Sequence, residues 1–303
     1  MRHAVLGAGG VGGLLAAALA RAGEDVVVLM RPESLPTYEG TFHVDSAVLG
    51  SFTAQVEGQT DLQHRVDVLW VTTKSTGLEE GLALVPPQAV ADALVVPLLN
   101  GLDHVARLRR DYRHVAAAAI RVETERIAPG RIRQRSPFLR ADIAYPPGAS
   151  GARTVVEQAA AALTTAGVET TVRDDEAGVL WDKFAFLAPI ALATTALDAP
   201  LGVVRADPRF TGCQDEVLTL AAREGASTDP DAVRRLTRAA PETMRSSMQK
   251  DVDNGKPPEL DAIAGAITRR AAHHGHPVPD TDAFITLILE RIASPLARKP
   301  GQT

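Results

Sequence analysis

The sequence predicts an α/β fold: a doubly wound parallel sheet followed by a smaller all-α region. Three observations carry this. Glycines at positions 7, 9 and 12 fall between a short apolar run and an alanine-rich stretch at the start of the chain. Apolar strand-like runs then alternate with helical stretches up to about residue 172. Beyond Arg173 strand signals fade, and helical stretches follow one another with Pro, Gly and Asp between them.

Residues 3–6 read as a buried strand and 14–20 as a helix, so Gly7, Gly9 and Gly12 stand at G-x-G-x-x-G spacing between them. The first glycine permits the tight turn. The second lets a pyrophosphate approach the backbone, and the third lets helix and strand pack closely. Together with Gly10 and Val11 at the helix start, free N–H groups and the positive dipole end would meet the phosphates of a dinucleotide. This is the Rossmann-type arrangement. Residues 26–30 form the next apolar run. In such folds the residue ending this strand meets the adenosine ribose, where an acid suits NAD and an arginine suits the 2′-phosphate of NADP. Arg31 stands there, with Asp25 at the wrong end of the strand and Glu33 beyond Pro32. A guanidinium's planar fork and permanent charge match a phosphate, so the expected cofactor is NADP(H).

Further strands are expected at 53–56, 66–72, 93–99, 114–120 and 168–172. Residues 131–135 are expected to pair back across the Ala128-Pro129-Gly130 turn, and 154–166 to form a helix. The strand over 66–72 ends in Thr73-Lys74 and that over 93–99 in Asn100-Gly101. Both ends belong to the carboxyl edge of the sheet, where α/β folds bind ligands. A lysine there meets phosphate or carboxylate, and an asparagine can hydrogen-bond a carboxamide or a carbonyl.

Composition bounds the function. A 303-residue chain suffices for two domains, predicted as 1–172 and 173–303. A net charge of −5 offers no basic field for nucleic acid. The single cysteine, Cys213, excludes an intramolecular disulfide and suits a cytoplasmic location. No uninterrupted apolar stretch is long enough for a bilayer, and the N-terminus lacks a signal-peptide pattern.

In the second half, 176–196, 207–225, 231–253, 258–274 and 281–293 are predicted helices. Lys183 shares a turn with Trp181 and Phe184 in a largely apolar helix, an unusual setting for a lysine. Ser246-Ser247-Met248 with Asp251, and Glu259-Leu260-Asp261, are the other polar groups of interest. His273, His274 and His276 read as residues of a helix end and turn, so no metal is expected.

These features, in this order and spacing, resemble the ketopantoate reductase (2-dehydropantoate 2-reductase) family nearly end to end. The resemblance implies a dinucleotide-binding domain and a helical domain with the active site in the cleft between them. It implies NADPH as hydride donor and a small 2-keto acid as acceptor. Residue by residue, Lys183 matches the general acid and Glu259 the carboxylate at the substrate's hydroxyl or carbonyl end. Ser247 matches the serine that contacts the substrate carboxylate. Asn100 matches the asparagine between cofactor and substrate, and Lys74 a lysine on the cofactor side. A homodimer is the one protein partner allowed for.

One departure bears on substrate. The family usually carries asparagines four and eight residues after the lysine and another further on. Here Leu187, Ala191 and Leu201 occupy those positions, so Leu187 and Ala191 would offer the substrate an apolar wall. A site that hydrogen-bonds a substrate hydroxyl loses discrimination when the partner disappears. Reduction of ketopantoate to pantoate, in pantothenate and coenzyme A biosynthesis, is the first expectation. Reduction of a more apolar 2-keto acid or ketone is the second. A non-catalytic NADP(H) sensor is the third, and it would need none of Lys183, Ser247 and Glu259.

Overall fold

The computed structural model describes residues 1–146, 148 and 150–293. The chain forms two compact units. One comprises Met1–Leu99 and His104–Val179, the other Asn100–Asp103 and the chain from Leu180 onward. The last residues of the predicted helical domain, 294–303, lie outside the described part.

The first unit runs β1 (Arg2–Leu6), α1 (Gly10–Arg21), β2 (Asp25–Leu29), β3 (Thr41–Ser46), β4 (Gly50–Gln55), β5 (Glu57–Gln59), β6 (Val68–Val71), α2 (Leu78–Leu82) and β7 (Leu94–Pro97). It continues through α3 (His104–Leu108), β8 (His114–Val115), β9 (Ala118–Arg121), β10 (Thr124–Ala128), β11 (Arg131–Gln134), β12 (Arg140–Ala144), α4 (Arg153–Thr165) and β13 (Glu169–Arg173). Six strands make one sheet in the order β5-β2-β1-β6-β7-β8, and every neighbour in it is parallel. β6 and β7 are buried at every position, and β1 and β2 at all but the first, as strands covered on both faces must be.

Two of the expected strands are present but lie outside the parallel sheet, and a third expectation, a single strand over 114–120, needs correction. The strand foreseen at 53–56 is β4, which pairs antiparallel with β3 in a separate four-stranded sheet, β10-β11-β3-β4. The single strand foreseen at 114–120 is two: β8 finishes the parallel sheet, and β9 joins a three-stranded sheet, β13-β12-β9. The strand at 168–172 is β13, in that third sheet and parallel to β12. Helix α1 packs against strands of both the six- and the four-stranded sheet. Its alanines and leucines are therefore buried nearly all round, and small side chains are what two close walls admit. A Cβ on Gly13 would stand 2.5 Å from the Ile132 side chain and 3.1 Å from Phe42.

The second unit holds most of α5 (Glu176–Leu197), then α6 (Leu201–Val204), α7 (Pro208–Arg223), α8 (Pro230–Ala239), α9 (Ser247–Asp253), α10 (Ala266–His274) and α11 (Pro279–Ala293). The one helix expected over 231–253 is two, because Pro241 pushes Ala240 out of helical backbone, to φ −66° and ψ 145°. Before α10 comes a π-helical turn, Asp261–Gly265, which periodicity did not foresee. Asp207 and Asp229 cap α7 and α8, each with proline at the first helical position. By length and composition α5 could cross a membrane, but two thirds of its most apolar window is buried in the protein, as in a core helix. His274 Nε2 lies 2.6 Å from Glu224 Oε1, a single carboxylate partner. Among the described residues no group of three or more His, Cys, Asp or Glu could hold a metal.

Candidate active site

The glycine loop has the geometry that its spacing implies. Gly7 adopts φ +106°, closed to other residues without strain, and its N–H donates to Leu29 O at 2.9 Å. A Cβ on Gly12 would sit 1.9 Å from Gly7 O and 2.3 Å from Thr72 Oγ1, so only glycine lets α1 approach the loop. Thr72, just past the end of β6, donates from Oγ1 to Leu6 O at 2.9 Å and Gly7 O at 3.0 Å and ties β6 to the loop. Gly9 is the N-cap of α1, with extended backbone and nothing within 4 Å of where a Cβ would stand. The first turn of α1 has no acidic residue and no side-chain cap, so its N–H groups remain for a ligand. Open space at Gly9 beside a tight Gly12 fits a pyrophosphate on the helix N-terminus. Gly10 serves packing, since its Cβ would meet Thr124 O at 2.9 Å. Val11 is partly buried.

Because β1, β2, β6 and β7 are parallel neighbours, the chain leaves them all at one sheet edge. Arg31 follows β2, more than half exposed and 3.2 Å from Glu33. Such an exposed pair is worth at most about 1 kcal/mol, so it leaves the guanidinium free to exchange partners. Lys74 follows β6 and is exposed at the start of a short turn.

In the helical unit, α5 presents Lys183, Leu187 and Ala191 at successive four-residue steps, one rising face of the helix. Lys183 and Leu187 are half-buried and Ala191 buried. Trp181 and Phe184 are buried and meet edge-to-face, ring centroids 5.5 Å apart. Glu259 is 6% exposed and accepts a hydrogen bond from Asn100 Nδ2 at 3.3 Å. The structure thus joins two residues 159 apart in sequence that were both expected at the site. Gly101 takes φ +94°, and its Cβ would stand 2.5 Å from Ala262 O, so the Asn-Gly pair is a close backbone approach.

Ser247 is exposed at the first position of α9. Its neighbour Ser246 is buried and caps that helix, accepting from Gln249 N at 3.1 Å. Ser246 Oγ lies 2.8 Å from Thr194 Oγ1, so the cap is tied to α5. Ser-x-x-Gln is a helix-start signature, and that spacing was legible. Thr194 and Thr195 lie near the end of α5, and Asp198 just past it. The two threonines are fully buried, and Asp198 pairs with Arg245 and Arg291. Leu201 is likewise fully buried.

Comparison with known proteins gives a consistent picture. Residues 3–145 match the family model described as "Ketopantoate reductase PanE/ApbA", and 176–291 match "Ketopantoate reductase PanE/ApbA C terminal". The chain is 30% identical over 302 residues to the 2-dehydropantoate 2-reductase of Caulobacter vibrioides, covering 94% of this chain and 97% of that protein. It is 27% identical over 285 residues to the "Uncharacterized oxidoreductase YkpB" of Bacillus subtilis, covering 89% and 92%. A crystal structure of a PanE/ApbA family ketopantoate reductase from Ralstonia eutropha JMP134 superposes with a TM-score of 0.82 at 26% identity, covering 96% of this chain and 98% of that one.

Proposed function

Because this chain belongs to the ketopantoate reductase family, oxidoreductases that act on CH–OH groups with NADP(H), we propose that it reduces a 2-keto acid to the 2-hydroxy acid, ketopantoate to pantoate first among candidates. The observation that carries the reading is the buried Glu259 carboxylate, hydrogen-bonded by Asn100 in the unit that also holds Lys183. A carboxylate is rarely buried without a purpose for its charge.

The open Gly9 and the uncapped start of α1 hold the cofactor's pyrophosphate, and Arg31 its 2′-phosphate. When bound, NADPH supplies hydride to the keto carbon. Lys183 Nζ holds the proton that the carbonyl oxygen takes up and stabilises charge there as it develops. Ser247 donates to the substrate carboxylate, while Glu259 and Asn100 orient the carbonyl end.

Leu187 favours a second reading. It lies one helical turn beyond Lys183, half-buried and apolar, while Thr194 bonds Ser246 and Asp198 pairs with Arg245 and Arg291. This suits a branched 2-keto acid without a hydroxyl. Cys213 takes no part: burial pushes its thiol up to about 12, so it stays an inert thiol. The test is NADPH oxidation against ketopantoate, pyruvate, 2-ketoisovalerate and bulkier 2-keto acids. Turnover well above background with at least one is expected, and ketopantoate leading 2-ketoisovalerate decides for the first reading. Background rates across the set would refute both.

A further inference from the structure

The segment Asn100–Asp103 leaves the first unit after Leu99, joins the helical unit for four residues, and returns at His104. It contains no helix or strand, so its place depends on what ties it down. One tie is the close approach of Gly101 to Ala262 O. Another is Asp103. Its Oδ2 accepts from Arg269 Nη2 at 2.7 Å and Nε at 3.1 Å, and its Oδ1 accepts from Arg270 Nη1 at 2.7 Å. Burial raises the Asp103 carboxyl, but the two guanidinium groups outweigh it and hold it below its ordinary value.

The two arginines are consecutive on α10, and consecutive helical side chains diverge by about 100°. Drawing both onto one carboxylate therefore fixes the helix about its axis as well as along it. Arg269 also donates to Asp261 Oδ1 at 2.7 Å, at the start of the π-helical turn that follows Glu259 by two residues. Asp103 thus grips the helical run that begins beside Glu259, and Asn100 lies three residues before Asp103. The Asn100–Glu259 bond itself, at 3.3 Å, is long and weak alone. Its partners are held in register by the three stronger, charge-assisted bonds to Asp103 next to it.

We propose that Asp103, gripping Arg269 and Arg270, is a positioning residue that holds the Asn100 amide on Glu259 and so sets the geometry of the groups that orient the keto acid. The proposal rests on the reading that Asn100 and Glu259 serve the reaction. Asp103 touches neither substrate nor cofactor; it acts through Asn100.

A double-mutant cycle on the full chain tests this. Asp103→Asn, Asn100→Ala and the double variant are compared in kcat/KM with ketopantoate or 2-ketoisovalerate, whichever the parent reduces faster. Asp103→Asn should lose about tenfold or more, since misplacing a reacting or positioning group by an ångström can cost about 10²-fold. The double variant should be no worse than Asn100→Ala alone, because the pair acts as one. Arg269→Gln approaches the same tie from its other end and should also show no added loss over Asn100→Ala. Losses that multiply, or an Asp103→Asn variant with parental kcat/KM beside an impaired Asn100→Ala, would overturn the positioning role alone. An Asn100→Ala variant with parental kcat/KM would overturn the reading beneath it. A crystal structure of Asp103→Asn decides the same point without turnover. Separation of Asn100 from Glu259 supports the proposal, and an unchanged contact refutes it.

Discussion

Two of the glycines in the N-terminal loop, three residues apart, should fail in opposite ways. At Gly12 an added Cβ would stand 1.9 Å from the Gly7 carbonyl, against an ordinary C···O contact of about 3.3 Å. Loop and helix must separate by about 1.4 Å, and the obstacle is backbone, which cannot rotate aside. Overpacking of this kind costs about 1–3 kcal/mol. Alanine's better helix propensity returns up to about 1 kcal/mol. Gly12→Ala should therefore lose up to a few kcal/mol, at roughly 2–4 °C per kcal/mol in a unit of this size. At Gly9 nothing lies within 4 Å, and the backbone, φ −79° and ψ −165°, is open to alanine. Loss of a good N-cap residue and gain from a stiffer unfolded chain are each under about 1 kcal/mol and opposed, so Tm should barely move. The methyl group instead fills the space that a pyrophosphate needs. Thermal melting and NADPH titration by fluorescence separate the two. Gly9→Ala should melt like the parent and bind NADPH poorly, whereas Gly12→Ala should melt early. Parental NADPH affinity in Gly9→Ala would show that the loop does not hold the cofactor.

Four further outcomes are expected. Arg31→Ala should weaken NADPH by about 1.5–3 kcal/mol, roughly 10- to 160-fold, and leave NADH nearly unchanged; equal affinity for both cofactors in the parent would refute the assignment. Lys183→Ala should lower turnover by roughly 10²–10⁴ while NADPH titrates normally, and near-parental turnover would remove it from the mechanism. Leu187→Asn should raise the ratio of kcat/KM for ketopantoate over 2-ketoisovalerate, and a constant ratio in a folded variant would take Leu187 out of the pocket. His3 is fully buried, and Trp70 Nε1 donates to its Nδ1 at 3.1 Å. Burial lowers its affinity for a proton despite nearby Glu24, so stability is complete above pH 6.5 and falls as pH drops below it, by at most about 1.4 kcal/mol per unit. The fall in Tm between pH 7.5 and 5.5 should therefore shrink in His3→Gln; an equal fall would acquit His3.

What could be read from the chain, and what could not, follows from the range of the forces involved. The glycine loop was legible because strand, turn and helix are local and each glycine answers a local steric demand. The helices of the second half were legible from their punctuation, except where Pro241 lay inside an expected helix. β3, with Phe42 and Val44 inward and His43 and Asp45 outward, is a clean alternating strand. Its parallel partner β11 is nearly ninety residues away, so no local pattern announces the four-stranded sheet. The same holds at the site. Asn100 and Glu259 were each expected from resemblance, but Asp103 looked like any loop acid until Arg269 and Arg270 came to meet it. Ser246 was overshadowed by the serine beside it, although its cap spacing was there to read.

The route of the chain through Asn100–Asp103 has a consequence for inheritance and for engineering. A graft that exchanges the C-terminal module of two relatives at the start of α5 would carry Lys183, Glu259, Arg269 and Arg270 together. It would leave behind the four residues on which Glu259 and the arginines close. Such chimeras should fold more readily than they work, and restoring the donor's own residues at 100–103 should be what revives them. In recombination terms, residues 100–103 travel with the helical module although the sequence places them inside the other, so the two stretches should be exchanged as a pair.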